Sequence, residues 1–364
     1  MALRVGIVGL PNVGKSTLFN ALTRAGADVA NYPFCTIEPN IGVTPVPDAR
    51  LQALAAIAQP ERIVPATVEF VDIAGLVAGA SRGEGLGNKF LAHIREVDAI
   101  VHVVRCFTGD NIAHVAGGLD PRRDIEVVNL ELILADMETL EKRKYRLHAA
   151  LKSGAGAAAA REELALAGRI EEAFDAGRPA CALPYSEAEK ELLKNLPLLT
   201  LKKVIFAANV AESDLPATDN PFVAAARAEA LALGAEVVPV CAGSEAEIAE
   251  LEAEDRKLFL AALNLEVSGL DRLIQSAFRL LGLMTFFTAG PLEVKAWTIR
   301  AGTKAPQAAG VIHTDFERGF HRAEVVSCED FIAQGGLAAA KEKGLVRSEG
   351  KDYIMRDGDI AHFR

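Results

Sequence analysis

The sequence predicts an α/β fold with a mostly parallel sheet, an inserted helical arm and a small separate α+β domain in its C-terminal part. Short apolar runs rich in β-branched residues alternate with helical or loop segments. One interval between runs is far longer than a strand–helix–strand step needs, and the sequence changes character beyond Leu283. The runs lie at 5–8, 68–71, 100–104, 204–208 and 237–241.

The composition is typical of a globular protein and argues against several functional classes. At 364 residues the chain exceeds one typical domain, and it is 50% hydrophobic and 24% charged, as in a globular protein with a large core. The net charge of −10 argues against a protein that coats nucleic acid by bulk electrostatics, so we expect no DNA partner. No apolar run reaches the length of a transmembrane helix and no apolar signal segment precedes the first strand. We therefore expect a cytoplasmic protein with no membrane partner.

The cysteines indicate free thiols in a reducing compartment. They are odd in number, widely spaced and never in a C-x-x-C pair, which suggests neither a zinc site nor a disulfide framework. They are Cys35, Cys106, Cys181, Cys241 and Cys328.

The first apolar run leads directly into a phosphate-binding loop. Residues 9–16 read GLPNVGKS, which has P-loop spacing, and a helix-like stretch follows at 17–23. The N–H groups of such a loop surround the phosphates, Lys15 reaches the terminal phosphates, and the Ser16 hydroxyl ligates Mg²⁺. A mere turn is the alternative, but the strand before it and the helix after it favour a nucleoside triphosphate site. The residues expected to contact the nucleotide are Asn12, Val13, Gly14, Lys15, Ser16 and Thr17.

The second apolar run ends in a candidate metal-site acid. Asp72 follows the strand with Gly75 three residues on, which predicts Asp72 in the Mg²⁺ shell and the Gly75 amide near the terminal phosphate. In the preceding Pro-flanked loop, Thr36 is a candidate for a second hydroxyl ligand to Mg²⁺, the alternative being a solvated threonine. Both this loop and the Gly-rich segment after Gly75 are predicted to act as switches.

The fourth apolar run precedes a candidate base-reading loop, Asn209-Val210-Ala211-Glu212. Guanine-specific proteins of this architecture carry Asn-Lys-x-Asp there. Val210 has no long stem to lay across the ring, and Glu212 is one methylene too long for the aspartate geometry. Asn209 is expected to pair its amide with adenine N6 and N7. Backbone groups of Val210 and of Ala242, Gly243 and Ser244 are expected to complete the pocket, and a shifted register with Asp214 facing guanine is the alternative.

The residue that orients the attacking water in many P-loop proteins, a glutamine just after D-x-x-G, is replaced by Leu76. A hydrocarbon side chain does not position water, so hydrolysis is expected to be slow or to borrow another group. His114, in the stretch 107–118 after the third run, is the candidate, although a lone loop histidine is more often a surface residue. Arg82 and Arg95 are weaker candidates.

A helical insertion is expected between Asp72 and Asn209, which lie 137 residues apart. Residues at alternating steps of four and three predict a coiled-coil helix with Lys144 as a polar interruption: Ile133, Met137, Leu140, Lys144, Leu147 and Leu151. The segment 157–175 is predicted to return as a second helix with Leu164, Ile170 and Phe174 inward. A third helix is predicted at Ser186, because Ser186 and Glu189 have capping-box spacing.

Five basic residues on the outgoing helix allow two interpretations. A solvated helix face is the ordinary one and a nucleic-acid contact is the alternative. The residues are Lys142, Arg143, Lys144, Arg146 and Lys152. Beyond Leu283, residues 285–288 and 293–299 are predicted strands of the separate small domain.

With these motifs assembled, the chain closely resembles the YchF or Obg-like ATPase family of P-loop proteins. The resemblance covers nearly the whole length. It rests on GLPNVGKSTLFNAL at 9–22, NYPFCTIEPN at 31–40, VEFVDIAGLV at 68–77, GEGLGNKFL at 83–91, ANVAESD at 208–214, KAPQAAGVIHTDFERGF at 304–320 and EGKDYIMRDGD at 349–359.

The resemblance implies an α/β P-loop parallel sheet, an inserted helical coiled-coil arm and a C-terminal TGS domain with a β-grasp fold. The expected boundaries are 1–125 with 200–278 for the nucleotide domain, 126–199 for the arm and 281–364 for the TGS domain. Family members usually continue the last strand by a few apolar residues. This chain ends it at 360–364, which puts the edge of that sheet in doubt.

The resemblance also implies a function. It implies Mg²⁺-dependent hydrolysis of ATP, preferred over GTP, with base contacts at Asn209 and Val210 and metal contacts at Ser16 and Thr36. It implies that His114 replaces the missing glutamine and that Cys35 is redox sensitive. It further implies association with the ribosome, through the large subunit or ribosomal RNA. A GTPase of the Obg type and a non-catalytic ribosome or RNA adaptor that binds ATP as an effector remain the alternatives.

Overall fold

The computed structural model describes residues 3–25, 40–73, 86–108, 118–153, 156–217 and 219–364. The strands are β1 Arg4–Val8, β2 Ile41–Pro45, β3 Arg62–Val64, β4 Thr67–Asp72, β5 Ala99–Arg105, β6 Lys203–Asn209, β7 Glu236–Val240, β8 Leu283–Ala289, β9 Glu293–Arg300, β10 Ala323–Ser327, β11 Arg347–Glu349 and β12 Asp359–Phe363. The helices are α1 Lys15–Ala25, α2 Ala49–Ala58, α3 Leu86–Glu96, α4 Pro121–Ser153, α5 Ala157–Asp175, α6 Glu187–Leu193, α7 Pro221–Ala232, α8 Ala242–Ile248, α9 Ala253–Ala262, α10 Gly269–Leu280, α11 Ala305–Ile312, α12 Thr314–Arg318, α13 Cys328–Gln334 and α14 Leu337–Glu342.

The chain divides into two compact units. The first contains Met1–Gly42 and Glu69–Leu273, and the second contains Val43–Val68 and Ile274–Arg364. The sequence did not suggest that residues 43–68 belong with the C-terminal residues, and the three-part division stays a prediction. Of the helices in the described ranges, none combines the length and the apolar character that crossing a membrane requires.

The first sheet has the strand order β2-β4-β1-β5-β6-β7. Strand β1 runs parallel to β4 and β5, β5 parallel to β6, and β6 parallel to β7. All five predicted apolar runs are strands of this sheet, so this part of the fold prediction is confirmed. Because these strands are parallel, their carboxyl ends lie at one edge, where ligands bind in such sheets.

Strand β2 was not predicted, since Gly42 and Pro45 interrupt its apolar residues. Two groups of helical side chains cover the sheet. Phe90 of α3 and Leu132 of α4 pack in one buried cluster with Ile100 of β5. Val223 of α7 packs in another with Phe206 of β6. Each such side chain stabilises the folded state by roughly 1.5–3 kcal/mol when fully buried. This packing holds in place the strands that carry the site.

The insertion between β5 and β6 is helical, as predicted. Helix α4 packs against α5, and their shared core contains Ile133, Leu140, Leu166, Ile170 and Phe174. The predicted inward Leu164 is only partly buried, and Leu166 lies in the core instead. Helix α6 begins at the predicted capping box. The Glu189 N–H donates to Ser186 Oγ at 3.2 Å, and the Ser186 N–H donates to Glu189 Oε2 at 2.8 Å.

A buried aspartate ties the insertion to the sheet. Asp136, in the middle of α4, accepts hydrogen bonds from Leu199 N at 2.7 Å, Thr200 N at 2.8 Å and Thr200 Oγ1 at 2.7 Å. Burial raises the pKa of Asp136, although these hydrogen bonds oppose the shift. Residues 199 and 200 lead into β6, so this contact fixes where the chain re-enters the sheet.

The second sheet has the strand order β11-β10-β12-β8-β9-β3. The predicted strands at 285–288 and 293–299 are the antiparallel pair β8 and β9. The final strand β12 lies inside the sheet, antiparallel to β10 and parallel to β8. The expectation that the end of the chain leaves the sheet edge in doubt is therefore wrong, because β3 and β11 are the edges. Strand β3 pairs in parallel with β9, which no local pattern indicated.

Candidate functional site

The P-loop lies where β1 ends and α1 begins, at the carboxyl edge of the first sheet. Two of its residues have positive φ angles, Asn12 at 64° and Gly14 at 92°. A Cβ atom on Gly14 would lie 2.2 Å from Asn209 Nδ2, so the loop requires glycine there for both its conformation and its packing. Val13 is buried, whereas Ser16 and Thr17 are exposed on the first turn of α1.

Lys15 and Asp72 are brought together by the pairing of β1 with β4. The Lys15 ammonium forms an ion pair with the Asp72 carboxylate, and each side chain is mostly buried. The backbone of this corner is fixed as well, since Asp72 N donates to Asn40 O at 2.9 Å and Ile73 N donates to Ile7 O at 3.2 Å. The sequence analysis predicted Lys15 near the terminal phosphates and Asp72 in the Mg²⁺ shell. The Lys15 ammonium carries three N–H donors, so it can contact a phosphate oxygen as well as Asp72.

Asn209 connects the P-loop to the loop after β7. It is 4% exposed, its Nδ2 donates to Val13 O at 2.8 Å, and its Oδ1 accepts from Ala242 N at 3.0 Å. The sequence predicted Asn209 only as a base reader. Its amide nitrogen carries a second hydrogen and its oxygen a second lone pair, so each end keeps capacity for one further partner.

Glu212, in the candidate base-reading loop, and Asp214, two residues beyond it, face different neighbours. Ser244 Oγ donates to Glu212 Oε2 at 2.6 Å, which places Glu212 beside α8. Asp214 Oδ2 instead accepts from Asn220 Nδ2 at 3.1 Å and lines a separate cavity of about 410 Å³ with Thr108. Glu212, and not Asp214, therefore contacts the first turn of α8, and the alternative in which Asp214 faces guanine stays a hypothesis.

Backbone contacts also hold the end of β6 beside the ends of β5 and β7. Val210 N donates to Val240 O at 2.8 Å, and Cys106 N donates to Asn209 O at 2.7 Å. Ala242 and Ser244 are buried at 3% exposure each, with Gly243 between them. The structure thus brings together Asn209, Val210, Ala242, Gly243 and Ser244, as the sequence predicted. The Ser244–Glu212 contact was missed, because no spacing rule links residues 32 positions apart.

Several predicted residues lie outside the described ranges: Cys35, Thr36, Gly75, Leu76, Arg82 and His114. Their roles stay predictions. Arg95 is described, and it lies in the last turn of α3, just before β5. Its carbonyl accepts from Lys202 Nζ at 3.3 Å, next to the start of β6. Arg95 is therefore at the amino edge of the parallel strands, opposite the P-loop, and the suggestion that it assists hydrolysis is wrong.

Two buried titratable groups lie in β5 or directly after it. In the central strand β5, burial lowers the pKa of His102 to about 4. Just beyond β5, burial raises the pKa of the Cys106 thiol to about 12, with a smaller contribution from the Asp124 charge. Cys106, Cys181, Cys241 and Cys328, the cysteines within the described ranges, form no disulfide. Cys106 is thus an unreactive thiol.

Comparison with known proteins matches both parts of the chain to family models. The model described as "50S ribosome-binding GTPase" matches residues 4–144. The model YchF-GTPase_C, described as "Protein of unknown function (DUF933)", matches residues 283–364.

Individual relatives match over the whole chain. The "Ribosome-binding ATPase YchF" of Bacillus subtilis (strain 168) is 56% identical, covering 100% of this chain and 99% of that protein. The protein with the same name in Escherichia coli O157:H7 is 54% identical with the same coverage. Among solved structures, "Structure of the Schizosaccharomyces pombe YchF GTPase" has a TM-score of 0.90 at 38% identity, covering 100% of this chain and 97% of that one.

Proposed function

The chain belongs to the YchF family of P-loop proteins, and from this premise we propose that it binds and hydrolyses ATP with Mg²⁺ as a ribosome-associated conformational switch. The observation that carries the proposal is the connection through Asn209. One buried amide joins the phosphate-binding loop to the loop after β7. Phosphate and base contacts are therefore held in fixed relation to each other.

The residues at the end of β1 and β4 suit a magnesium–triphosphate group. The Ser16 hydroxyl and the Asp72 carboxylate are hard oxygen donors of the kind that Mg²⁺ prefers. Gly14 provides a close backbone approach that a Cβ atom would block. In the proposal, Ser16 and Thr36 ligate the metal, Asp72 holds its outer shell, and Lys15 and the Gly75 amide contact the terminal phosphate. The bound metal would neutralise charge that develops on the phosphate oxygens.

Turnover in the proposal is slow and depends on His114. Leu76 stands where many relatives of this architecture use glutamine to orient water, so another group must supply that hydrogen bond. His114 belongs to the stretch between β5 and α4, which begins at the same carboxyl edge of the sheet as the P-loop. An imidazole there can accept a hydrogen bond from the attacking water. Cys35, beside Thr36 in the sequence, is the proposed redox-sensitive residue.

Adenine is the proposed base. Val210 offers no alkyl stem for the ring, and Asn209 keeps one free donor position and one free acceptor position for adenine N7 and N6. Because the Schizosaccharomyces pombe structure bears the name YchF GTPase, an Obg-type GTPase is the second candidate. Calorimetric titration with non-hydrolysable ATP and GTP analogues distinguishes them, and tenfold tighter binding of the GTP analogue would refute the adenine proposal.

The ribosome contact is proposed on the solvent face of α4. Arg143 and Lys144 are paired with acids of α5, Arg143 Nε with Glu163 at 2.6 Å and Lys144 Nζ with Glu171 at 2.5 Å. Arg146 and Lys152 are exposed, and the Tyr145 side chain is 79% exposed next to Arg146. Basic groups that bind phosphate beside an aromatic ring that stacks on a base suit ribosomal RNA.

The remaining family features complete the proposal. Helices α4 and α5 form the coiled-coil arm, and the second unit is the TGS domain with a β-grasp fold. The protein acts in the cytoplasm, on the large ribosomal subunit.

Phosphate release at saturating Mg–ATP tests the catalytic part of the proposal. The intact protein is compared with Lys15→Ala and His114→Ala. We expect Lys15→Ala to lose turnover nearly completely and His114→Ala to lose at least tenfold. Unchanged turnover in Lys15→Ala would contradict the ATPase proposal. It would favour a non-catalytic ribosome or RNA adaptor that binds ATP only as an effector.

A further inference from the structure

A cavity of about 480 Å³ lies in the second unit, where two neighbouring strands of its sheet separate. Strands β8 and β12 run parallel, and within the described residues they pair at a single position, Phe287 with Ile360. Beyond it, β8 continues to Ala289 and β12 continues to Phe363. Residues from both of these strand ends line the cavity. The cavity therefore occupies a gap in the sheet between β8 and β12.

Main-chain groups on the two sides of this gap face each other. The Gly290 N–H donates across the β8–β9 hairpin at 3.0 Å. Hydrogen-bonded pairs alternate with other pairs along antiparallel strands, so the N–H and C=O of Ala289 point away from β9, toward β12. At the other strand, Arg364 N donates to Arg322 O at 2.9 Å. By the same alternation, the N–H and C=O of Phe363 point away from β10, toward β8.

Apolar side chains line the cavity on both faces of the sheet. On one face, Trp297, Ile312 and Phe363 pack on the buried cluster around α11. Successive side chains of a strand point to opposite faces, so Ile360 of the same strand as Phe363 faces the other side. Phe331 of α13 lines the cavity there as well. A strand placed in the gap would therefore direct alternate side chains into two apolar parts of one cavity.

The rim of the cavity carries large apolar side chains that are open to solvent. Leu292 is 68% exposed, Phe316 51% and Leu337 42%, and all three line the cavity. Apolar groups exposed together around a concave site mark a binding surface more often than scattered exposed residues do.

The carboxylates at the cavity are matched by arginines. Glu293 forms an ion pair with Arg62. Glu324 lies 3.5 Å from Arg322 and 3.8 Å from Arg364. With its acids matched in this way, the cavity is complementary to a neutral ligand and gives no advantage to a charged one.

We propose that this cavity binds an extended, neutral segment of a partner protein, which adds a strand between β8 and β12. The main-chain groups of Ala289 and Phe363 supply hydrogen bonds, and the two apolar parts receive alternate side chains, as in other cases of strand addition. A strand buried on both faces is continuously apolar. Because β12 runs three residues past its pairing with β8, from Ala361 to Phe363, the segment carries about three consecutive apolar residues. This site belongs to the second unit and is separate from the proposed nucleotide site.

Selection of phage-displayed random peptides on the full-length protein tests the proposal. We expect the recovered peptides to share about three consecutive apolar residues with no charge among them. The consensus peptide, capped at both ends and labelled with a fluorophore, is then titrated with the protein, and binding is measured by fluorescence anisotropy. Recovery of no consensus, or of a charged one, would overturn the inference.

Leu337→Asp and Ile354→Asp are matched variants that locate the site. Leu337 lines the cavity, whereas Ile354 is an isomeric residue of the same unit that is 53% exposed and lies outside the cavity lining. Leu337 is the first residue of α14, where an acidic side chain is tolerated, so the fold is retained. We expect Leu337→Asp to weaken binding of the consensus peptide about tenfold or more, and Ile354→Asp less than about twofold. Equal effects of the two variants would contradict the placement.

Methylation of the central main-chain nitrogens of the peptide tests strand addition itself. It removes the donors that pair with β8 and β12 and leaves every side chain in place. We expect binding to weaken about tenfold or more. Unchanged affinity of the methylated peptide would show that apolar contact alone holds it, and strand addition would be refuted.

Discussion

At the scale of single residues, Asn209 shows how a side chain predicted to bind a ligand also has a structural role. Its position at the end of β6 predicts a base-reading residue, and its amide joins Val13 to Ala242. Loss of this side chain would leave a buried carbonyl and a buried N–H without partners, at a cost of roughly 1–3 kcal/mol each. Binding and stability are therefore coupled at this position.

Gly14→Ala should abolish nucleotide binding and lower the free energy of unfolding by about 1–3 kcal/mol. Its φ of 92° disfavours any side chain, and the new Cβ would lie 2.2 Å from Asn209 Nδ2. Calorimetry and urea denaturation measure the two effects. Gly168→Ala in α5 is the matched control, because Gly168 is not part of the site and no heavy atom beyond its chain neighbours and its own helix backbone lies within 4 Å of the position of its Cβ. Equal behaviour of the two variants would contradict the packing argument.

His102 should make stability depend on pH. The pKa of His102 is about 4 in the folded chain and 6.5 for an unperturbed histidine. Between these two values the unfolded chain therefore binds a proton at His102 and the folded chain does not. Stability is then fully retained above pH 6.5 and falls as the pH drops toward 4, by up to about 3 kcal/mol.

Urea denaturation of the intact protein, His102→Phe and His321→Gln between pH 4.5 and 7.5 measures this effect. We expect His102→Phe to show a weaker dependence on pH, while the exposed control His321→Gln keeps the full dependence. Identical slopes in all three proteins would show that other groups cause the acid sensitivity.

At the scale of elements, α4 has two faces with different tasks. One face packs on α5 through its apolar residues and through ion pairs of Arg143 and Lys144. The other presents Tyr145, Arg146 and Lys152 to solvent. The sequence showed a continuous basic stretch, and only the packing of α5 divides it into paired and exposed charges.

The exposed face of α4 should carry ribosome binding. Arg146→Ala with Lys152→Ala removes two phosphate-binding charges, and we expect co-sedimentation with large ribosomal subunits to weaken by about tenfold, with a smaller dependence on salt. Lys190→Ala in α6 with Lys194→Ala at its C-cap is the matched control, since it removes the same charge from another exposed segment. An equal effect of both pairs would indicate non-specific electrostatics.

Asp136→Ala should cost roughly 3 kcal/mol or more, because three buried donors at Leu199 and Thr200 lose their acceptor. Asp136→Asn retains one acceptor oxygen and should cost less. Circular dichroism during urea denaturation measures both. The exposed Glu141→Ala on the same helix serves as the control and should change stability by less than about 0.5 kcal/mol. A near-neutral Asp136→Ala would mean that relief of the buried charge offsets the lost hydrogen bonds.

At the scale of the whole molecule, the nucleotide residues all belong to the first unit, and the second unit has a core of its own. That core contains Phe286, Ile299, Val325 and Ala361, contributed by β8, β9, β10 and β12. The chain enters the second unit twice, first through residues 43–68 and again after residue 273. The second unit is therefore not a simple C-terminal appendage.

Mg²⁺ with a non-hydrolysable ATP analogue should protect the first unit from hydrogen exchange, most strongly at 9–17, 209–212 and 241–244. A ligand at a hundred times its Kd stabilises the state that it binds by about 2.7 kcal/mol, so the expected slowing is large. Mass spectrometry of peptic fragments measures it. The ligand-free protein and the Lys15→Ala variant are the controls. Protection confined to the second unit would contradict the placement of the site.

The sequence by itself determined the parallel strands, the P-loop and the capped helix α6, and its base-reading loop stays a prediction. Each is a local pattern, because P-loop spacing, a continuous apolar run and capping-box spacing are read from neighbours along the chain. Such local patterns predict the same secondary structure whatever the rest of the fold is.

Only the tertiary structure decided that Asn209 bridges two loops, that Ser244 binds Glu212, that β12 lies inside its sheet and that β3 pairs with β9. It also placed Arg95 at the wrong edge of the sheet to assist hydrolysis. These facts join residues that are distant in sequence. They depend on strand register and on which side chains packing brings within hydrogen-bonding distance, and the periodicity of one segment encodes neither.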